Sequence, residues 1–180
     1  MTRSRVLPAF TAMVLTIAAL WPSALTLPQH GDETNRVWSG WYYVGLLCKL
    51  DFRFAGPPGD PGWDPQSYWA VTQPMGVSLL YGSAVHTTGL PVPQHPYDFA
   101  QPLDEPTRVP LPTLRLVRAV AVLCAALGLA LIVFRLGSPA LVAVALFLAI
   151  PHVRMDLARA TGDAPVLLGF GLCAATYGSN

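Results

Sequence analysis

Two adjacent carboxylates, Asp32 and Glu33, are the side chains of this sequence best suited to chemistry. They follow a long apolar run, at the point where the chain turns polar. A carboxylate within hydrogen-bond reach of a hydroxyl group can act as a general base and take its proton. Acidic residues also stand at the ends of membrane helices for a simpler reason, because hydrocarbon penalises Asp and Glu heavily. The pair therefore has a catalytic interpretation and a helix-exit interpretation, and both place it at a membrane surface.

The composition indicates the environment of the protein. Hydrophobic residues make up 53% of the chain and charged residues only 12%, whereas soluble domains are about 25% charged. The net charge is +1 and no run of Lys or Arg is present, so the basic footprint of a nucleic-acid-binding protein is missing. The expected partner is a lipid bilayer, with no nucleic acid.

Apolar runs predict an all-α, multi-pass transmembrane fold. A run of about 20 apolar residues crosses roughly 30 Å of hydrocarbon as a helix. Arg3 and Arg5 precede the first run and favour a cytoplasmic N-terminus. A signal peptide has the same opening, but no small-residue cleavage site precedes Leu27. The predicted spans cover residues 6–27, 114–136, 139–153 and 165–178.

The polar segment 28–112 is predicted to be a long extracytoplasmic first loop that carries interfacial helices. After Asp32, a plausible N-cap, apolar residues recur at helical spacing along one face. That face predicts either a helix in the membrane interface or a helix packed on protein. The face comprises Trp38, Trp41, Tyr42, Gly45 and Leu46.

A second helix of the loop is expected over 76–89, too short for a span and therefore interfacial or re-entrant. The dense Gly and Pro of 56–62 predict successive turns, and the prolines of 91–112 predict irregular chain.

Three further charged residues lie near predicted span ends. Arg118 begins the second span, while Arg159 and Asp163 precede the fourth. An arginine guanidinium stays charged and grips phosphate oxygens with two hydrogen bonds. Asp163 also fits a helix cap, with Pro165 in the first turn.

The order of these features resembles the GT-C glycosyltransferases, and among them the protein O-mannosyltransferases and aminoarabinose transferases. The resemblance implies a multi-pass protein of the plasma or inner membrane. It would transfer a sugar from a polyprenyl-phosphate donor to an acceptor hydroxyl on the extracytoplasmic side. Residues 1–180 would correspond to the N-terminal part of the family's many-span architecture, so the chain looks like a fragment or a truncated form.

The resemblance also suggests roles for individual residues. Asp32-Glu33 matches the family's acidic loop motif, in which the Asp is catalytic. Gln73-Pro74 stands where relatives carry His/Lys-Pro-Pro, and departs from that pattern at Gln73 and at Met75. Arg118 is similar to the Arg that begins the family's second span. Arg159 and Asp163 resemble its Ala-Arg-x-x-x-Asp pattern, where the Asp is a second active-site acid.

Other functions have less support in the sequence. No metal site is predicted, because no two of the four histidines have the spacing of metal ligands. They are His30, His86, His95 and His152. A divalent metal ion as cofactor is left as an alternative. The first alternative function is a non-catalytic multi-pass membrane protein that retains the family's N-terminal loop. A transporter or channel subunit is the second, but it needs ionisable residues inside the spans, which are nearly absent.

Overall fold

The computed structural model describes residues 3–49, 75–94, 96–97 and 101–177. All regular structure in these ranges is helical, which confirms the all-α prediction. Gln73 and the turns predicted at 56–62 lie outside the described residues. The helices are α1 (Arg3–Thr26), α2 (Gly31–Lys49), α3 (Met75–Thr88), a 3-10 helix (Glu105–Thr107), α4 (Leu111–Leu136), α5 (Ser138–Ala149), α6 (Pro151–Ala158) and α7 (Asp163–Thr176).

The chain divides into two compact units, which we describe separately. The first unit comprises Met1–Leu27 together with Arg118–Asn180, and the second comprises Pro28–Val117. The first unit therefore combines two separate stretches of the chain, and the second is one continuous stretch.

Two helices, α1 and α4, are each long enough and apolar enough to cross a membrane. In the first unit they are tied at both ends by arginines. Arg5 Nη1 donates to the carbonyl of Arg135 at 2.9 Å, and Arg118 Nη1 donates to the carbonyls of Ala24 at 3.1 Å and Leu27 at 2.8 Å. Since the start of each helix meets the end of the other, α1 and α4 run antiparallel from Arg118 onwards.

The prediction of one continuous helix over 139–153 is wrong. Helix α5 ends at Ala149, α6 begins at Pro151, and the two are bent by 89°. The residue before a proline is forced towards extended backbone, as Ile150 shows with φ −76 and ψ 119. Proline is then well placed in the first turn of the new helix. The 12 residues of α5 rise only about 18 Å.

Helices α4 and α7 approach each other closely at two glycines. A Cβ atom on Gly128 would lie 2.6 Å from the carbonyl oxygen of Leu167, and one on Gly171 would lie 2.5 Å from the carbonyl oxygen of Gly128. Only glycine permits this approach. Large apolar side chains remain exposed on the outer faces of the first unit, as expected for contact with lipid; on α1 they include Val6, Leu7, Phe10, Val14, Leu15, Trp21 and Leu25.

In the second unit, α2 crosses α3 with Gly40 against Gly82. A Cβ atom on either glycine would overlap the backbone of the other helix. Helix α3 ends at Thr88, and Gly89 follows it in a left-handed conformation, φ +63, which glycine adopts without steric cost. The predicted helix over 76–89 is confirmed.

The aromatic face of α2 divides between two environments. Trp38 is only 3% exposed, and its ring stacks on that of Tyr42 at 5.3 Å beside Leu79 of α3. Trp41 is 41% exposed. Packing on protein is therefore the correct interpretation for Trp38, and Trp41 faces outward. Burial raises the pKa of the neighbouring Tyr43.

Candidate functional site

The candidate site is built on the start of α2. The helix begins at Gly31, so the prediction of Asp32 as its N-cap is wrong. His30 holds the position before the helix, and its carbonyl accepts from the N–H of Glu33 at 3.0 Å. The side chain of Glu33 reaches back through Oε2 to the N–H of His30 at 2.9 Å. This return bond is the glutamate half of a capping box.

The two adjacent carboxylates thus have different environments. Glu33 is fully buried and its carboxylate serves the backbone of the helix start. Asp32 is accessible: its side chain and that of His30 are each 45% exposed, with Asp32 Oδ2 3.3 Å from His30 Nδ1. Of the pair, only Asp32 can meet a substrate without unfolding the helix start.

A single nitrogen of His30 faces two groups of Asp32. Nδ1 lies 3.3 Å from the N–H of Asp32 and 3.3 Å from its carboxylate. An unprotonated Nδ1 accepts from the N–H and caps the helix, whereas a protonated Nδ1 donates to the carboxylate. The presence of a hydrogen on Nδ1, which differs between the two neutral tautomers of His30, therefore decides whether this nitrogen donates to the Asp32 carboxylate.

Asn35 joins the helix start to the loop that follows α3. Its Nδ2 donates to the carbonyl of Tyr97 at 3.1 Å, and its Oδ1 accepts from the N–H of Tyr97 at 2.7 Å. The ring of Tyr97 then covers Gly31 so closely that a Cβ atom there would overlap the ring. A glycine before Asp32 is needed for this contact.

Two more polar residues continue this connection. Thr34 Oγ1 donates to the carbonyl of Thr107 at 2.8 Å. Gln29 donates through Nε2 to Thr34 Oγ1 at 2.7 Å and accepts at Oε1 from the N–H of Val109 at 3.2 Å. The buried polar groups at the start of α2 are therefore bound to fixed backbone, which holds Asp32 in place.

A cavity of about 600 Å³ lies between the 91–94 and 105–110 stretches of the same unit. Its charged lining residues are Glu105 and Arg108, and Leu111 and Leu114 form part of its apolar wall. Asp32 does not line this cavity.

The other predicted site residues belong to the first unit. Arg118 is only 2% exposed, and its hydrogen bonds to Ala24 and Leu27 support the end of α1. Asp163 is the first residue of α7, and its carboxylate accepts from Thr161 Oγ1 at 2.9 Å. The cap of α7 has no side-chain hydrogen bond, so the predicted capping by Asp163 is wrong. Arg159 directly follows α6 and is half-buried.

Sequence reasoning missed the structural roles of His30 and Asn35. A histidine before a helix start gives no strong signal, and the partner of Asn35 lies far along the chain, at Tyr97. Among the described residues, no three His, Cys, Asp or Glu side chains are grouped so as to hold a metal ion. No protein-family model, curated protein or solved structure matches this chain.

Proposed function

We propose that this chain is a multi-pass protein of the plasma or inner membrane that transfers a sugar from a polyprenyl-phosphate donor to an acceptor hydroxyl. Asp32 is the general base, and the segment 28–112 faces the extracytoplasmic side. The observation that carries the proposal is that the two adjacent carboxylates differ in exposure and in hydrogen bonding. Glu33 is buried in the helix cap, and Asp32 is accessible beside His30.

The hydrogen bonds that anchor the start of α2 support a role of Asp32 as base. A base must be held within hydrogen-bond reach of the proton that it takes. The start of α2 is fixed by the hydrogen bonds of Asn35 to Tyr97 and of Thr34 to Thr107. Asp32 itself needs none of these bonds, so its carboxylate keeps its accepting capacity for a substrate.

The arrangement of α1 and α4 supports the topology. Two antiparallel helices that both cross a membrane leave the segment that joins them on one side of it, and α1 and α4 have the length and direction that this requires. Arg118 and Arg135 are separated by about 26 Å of helix rise, close to the thickness of the hydrocarbon. Arg5 at the start of α1 and Arg135 at the end of α4 then mark the cytoplasmic side.

An apolar cavity of the first unit fits the lipid part of the donor. It has a volume of about 390 Å³ and is lined only by apolar side chains of α4, α5 and α7, among them Leu129, Phe147 and Leu167. Isoprene units are apolar and branched, and match such a lining. Arg159 is the proposed partner of the donor phosphate, since guanidinium groups bind phosphate oxygens in a bidentate manner.

The catalytic test uses the whole chain in lipid nanodiscs with a panel of polyprenyl-phosphate sugars. Release of polyprenyl phosphate is followed by mass spectrometry. Asp32→Asn keeps the shape of the side chain but removes its basicity, so the rate should fall by roughly 10²–10⁴-fold. Glu105→Gln, at an exposed carboxylate of the same unit as Asp32, is the matched control and should leave the rate unchanged. A correctly inserted Asp32→Asn protein with the unmutated rate would contradict the proposal, as would the absence of transfer from every donor.

The topology is tested by reporter fusions. Fusions after Gly89 and after Gly162 should both report the extracytoplasmic side, and one after Ser138 should report the cytoplasm. A cytoplasmic signal at Gly89 would reverse the placement of Asp32.

A non-catalytic membrane protein is the second candidate. Two observations favour it: Asp32 lies outside the 600 Å³ cavity, and the hydrogen bonds that Arg118 makes to α1 are structural. This candidate predicts that Asp32→Asn alters neither insertion nor thermal stability and that no donor is consumed.

A further inference from the structure

We infer that the cavity of about 600 Å³ in the second unit binds the headgroup of a zwitterionic phospholipid with a primary ammonium group, as in phosphatidylethanolamine. Arg108 binds the phosphate, Glu105 binds the ammonium group, and the apolar wall of the cavity contacts the start of the acyl chains. The inference rests on the proposed membrane placement of α4. It concerns a site separate from Asp32, which does not line the cavity, and its test does not depend on sugar transfer.

Hydrogen bonds fix the chain that encloses this cavity. The N–H of Gln94 donates to the carbonyl of Pro106 at 2.9 Å, which joins the 91–94 stretch to the 105–110 stretch. The N–H of Val109 donates to Gln29 Oε1 at 3.2 Å. Small-molecule sites are commonly pre-formed and have volumes of about 300–1,000 Å³, so the cavity has the size and the fixed walls of a binding site.

Two opposite charges line the cavity and do not pair with each other. Glu105 and Arg108 are both lining residues and both exposed, so a ligand from outside can reach them. The ion pair found among the described residues is that of His30 with Asp32. In that part of the chain, neither the Glu105 carboxylate nor the Arg108 guanidinium has a hydrogen bond. One charge of each sign favours a zwitterion over a simple anion or cation.

The start of α4 places the cavity at the depth of lipid headgroups. The 26 residues of α4 rise about 39 Å, roughly 9 Å more than the thickness of the hydrocarbon. With Arg135 at the opposite membrane surface, the first turn of α4 extends into the headgroup layer. Leu111 and Leu114 of this turn belong to the cavity wall, and Leu111 is 56% exposed. This depth and this apolar surface favour a lipid over a soluble zwitterion.

Phosphatidylethanolamine offers groups complementary to both charges. Its phosphodiester presents two oxygens to the planar edge of a guanidinium. Its ammonium group has three N–H donors, which a carboxylate accepts. A choline headgroup keeps the positive charge but has no N–H donor, and a glycerol headgroup has no cation. The three headgroups therefore separate the role of Glu105 from that of Arg108.

The binding experiment uses the full chain in a maltoside detergent. Phosphatidylethanolamine, phosphatidylcholine and phosphatidylglycerol with the same acyl chains are titrated, and native mass spectrometry counts the bound lipid. Phosphatidylethanolamine should bind about tenfold more tightly than either of the others, as expected for one charge-assisted hydrogen bond. Equal retention of the three lipids, or no retention of phosphatidylethanolamine, would overturn the inference without any variant.

Variants then assign the binding to the two charged residues. Glu105→Gln should weaken phosphatidylethanolamine binding about tenfold and should not weaken phosphatidylglycerol binding, whereas Arg108→Gln should weaken both about tenfold. Arg115→Gln is the matched control, because it removes an exposed arginine of the same unit that does not line the cavity. It should bind as the unmutated chain does. Unchanged affinity of the Glu105→Gln/Arg108→Gln double variant, with unchanged circular dichroism, would contradict the assignment.

The same assay shows whether the lipid site is separate from the sugar-transfer site. Asp32→Asn should retain phosphatidylethanolamine as the unmutated chain does. Conversely, Glu105→Gln should lose the lipid and keep its rate of sugar transfer. Loss of the lipid from Asp32→Asn would contradict a separate site.

Competition tests whether the ligand is a lipid. Glycerophosphoethanolamine has the same headgroup without acyl chains, so it lacks the apolar contact with the cavity wall. It should displace phosphatidylethanolamine only at a concentration at least about tenfold higher. Displacement at an equal concentration would overturn the assignment to a lipid.

Discussion

The molecule has two helix crossings, one in each unit, at which glycines allow two helix backbones to come into contact. The surroundings of the two crossings differ. Gly40 meets Gly82 where α2 crosses α3, and Gly128 meets Gly171 where α4 crosses α7. In both, the main chains touch and a methyl group would have no room. Small residues at helix contacts are typical of membrane proteins, where close packing replaces the hydrophobic driving force.

The crossings differ in what surrounds them. The α2–α3 crossing lies beside a buried aromatic cluster of Trp38 and Tyr43. The start of α2 in the same unit is also held by side-chain hydrogen bonds of Thr34 and Asn35. The α4–α7 crossing lies among apolar helices whose outer faces expose large apolar side chains, such as Leu127 and Phe170. We conclude that close packing of apolar helices holds the second crossing, whereas packing and a polar network together hold the first.

The largest effect is expected for Gly40→Ala. The new methyl group meets backbone atoms of Ser78 and Gly82, which cannot move aside as a flexible side chain would, so α2 and α3 must separate. Overpacking of this kind costs about 3 kcal/mol. Gly45→Ala is the matched control on the same helix, where a Cβ atom has no neighbour within 4 Å; it should stabilise α2 by up to about 1 kcal/mol. Hydrogen exchange of the α2 and α3 amides measures both, and equal protection in the two variants would disprove the close crossing.

Asn35→Ala is the next largest and tests the polar network. It leaves the part-buried N–H and C=O of Tyr97 without their side-chain partner, at a cost of about 1–2 kcal/mol. Hydrogen exchange should increase around Tyr97 and at the start of α2, and not in α4–α7. Uniform loss of protection over both units would show that the network is not local to one unit.

Gly171→Ala tests the crossing of the first unit. Its methyl group would meet the backbone of Gly128 at 2.5 Å, a less severe overlap than at Gly40, so we expect a loss of about 1–2 kcal/mol. Gly169→Ala, two residues earlier on α7 and with no neighbour within 4 Å, is the control. Thermal unfolding in detergent distinguishes them, and a Gly169→Ala protein that is no more stable than Gly171→Ala would contradict the proposed contact.

The smallest effect is expected for Gly31→Ala. Here the obstacle is the ring of Tyr97, a side chain that can rotate away once its hydroxyl gives up the bond to the carbonyl of Gln101. This exposed bond contributes about 1 kcal/mol. Fluorescence of the tyrosine ring and thermal unfolding provide the measurement. A loss as large as that of Gly40→Ala would mean that the ring is fixed.

Several features of the fold could be predicted from the sequence because they depend on local composition. Long apolar runs required helices of spanning length at α1 and α4, since unpaired backbone groups are not tolerated in hydrocarbon. Gly89 correctly marked the end of α3, whereas the stretch 91–112, expected to be irregular, contains the 3-10 helix Glu105–Thr107 and the first residues of α4. The predicted span 139–153 ran through Pro151, and the 89° turn at that point could not be derived from spacing alone.

The candidate site depended on contacts between residues far apart in the chain, and there the sequence alone was insufficient. Asp32 and Glu33 have nearly the same chemistry, and nothing in their order says which is buried. The tertiary structure decided this, because the return bond of Glu33 to His30 and the cover of Tyr97 over Gly31 leave only Asp32 accessible.

For the arginines, too, the sequence alone could not predict which groups they contact. The sequence by itself determined that Arg118, Arg154 and Arg159 stand near helix ends, where a guanidinium is stable beside apolar runs. Only the packing of helices decided that Arg118 meets two backbone carbonyls, whereas the Nε atoms of Arg154 and Arg159 meet none. The physical reason is that an acceptor for a long side chain comes from another element, and the position of that element is fixed by tertiary contacts.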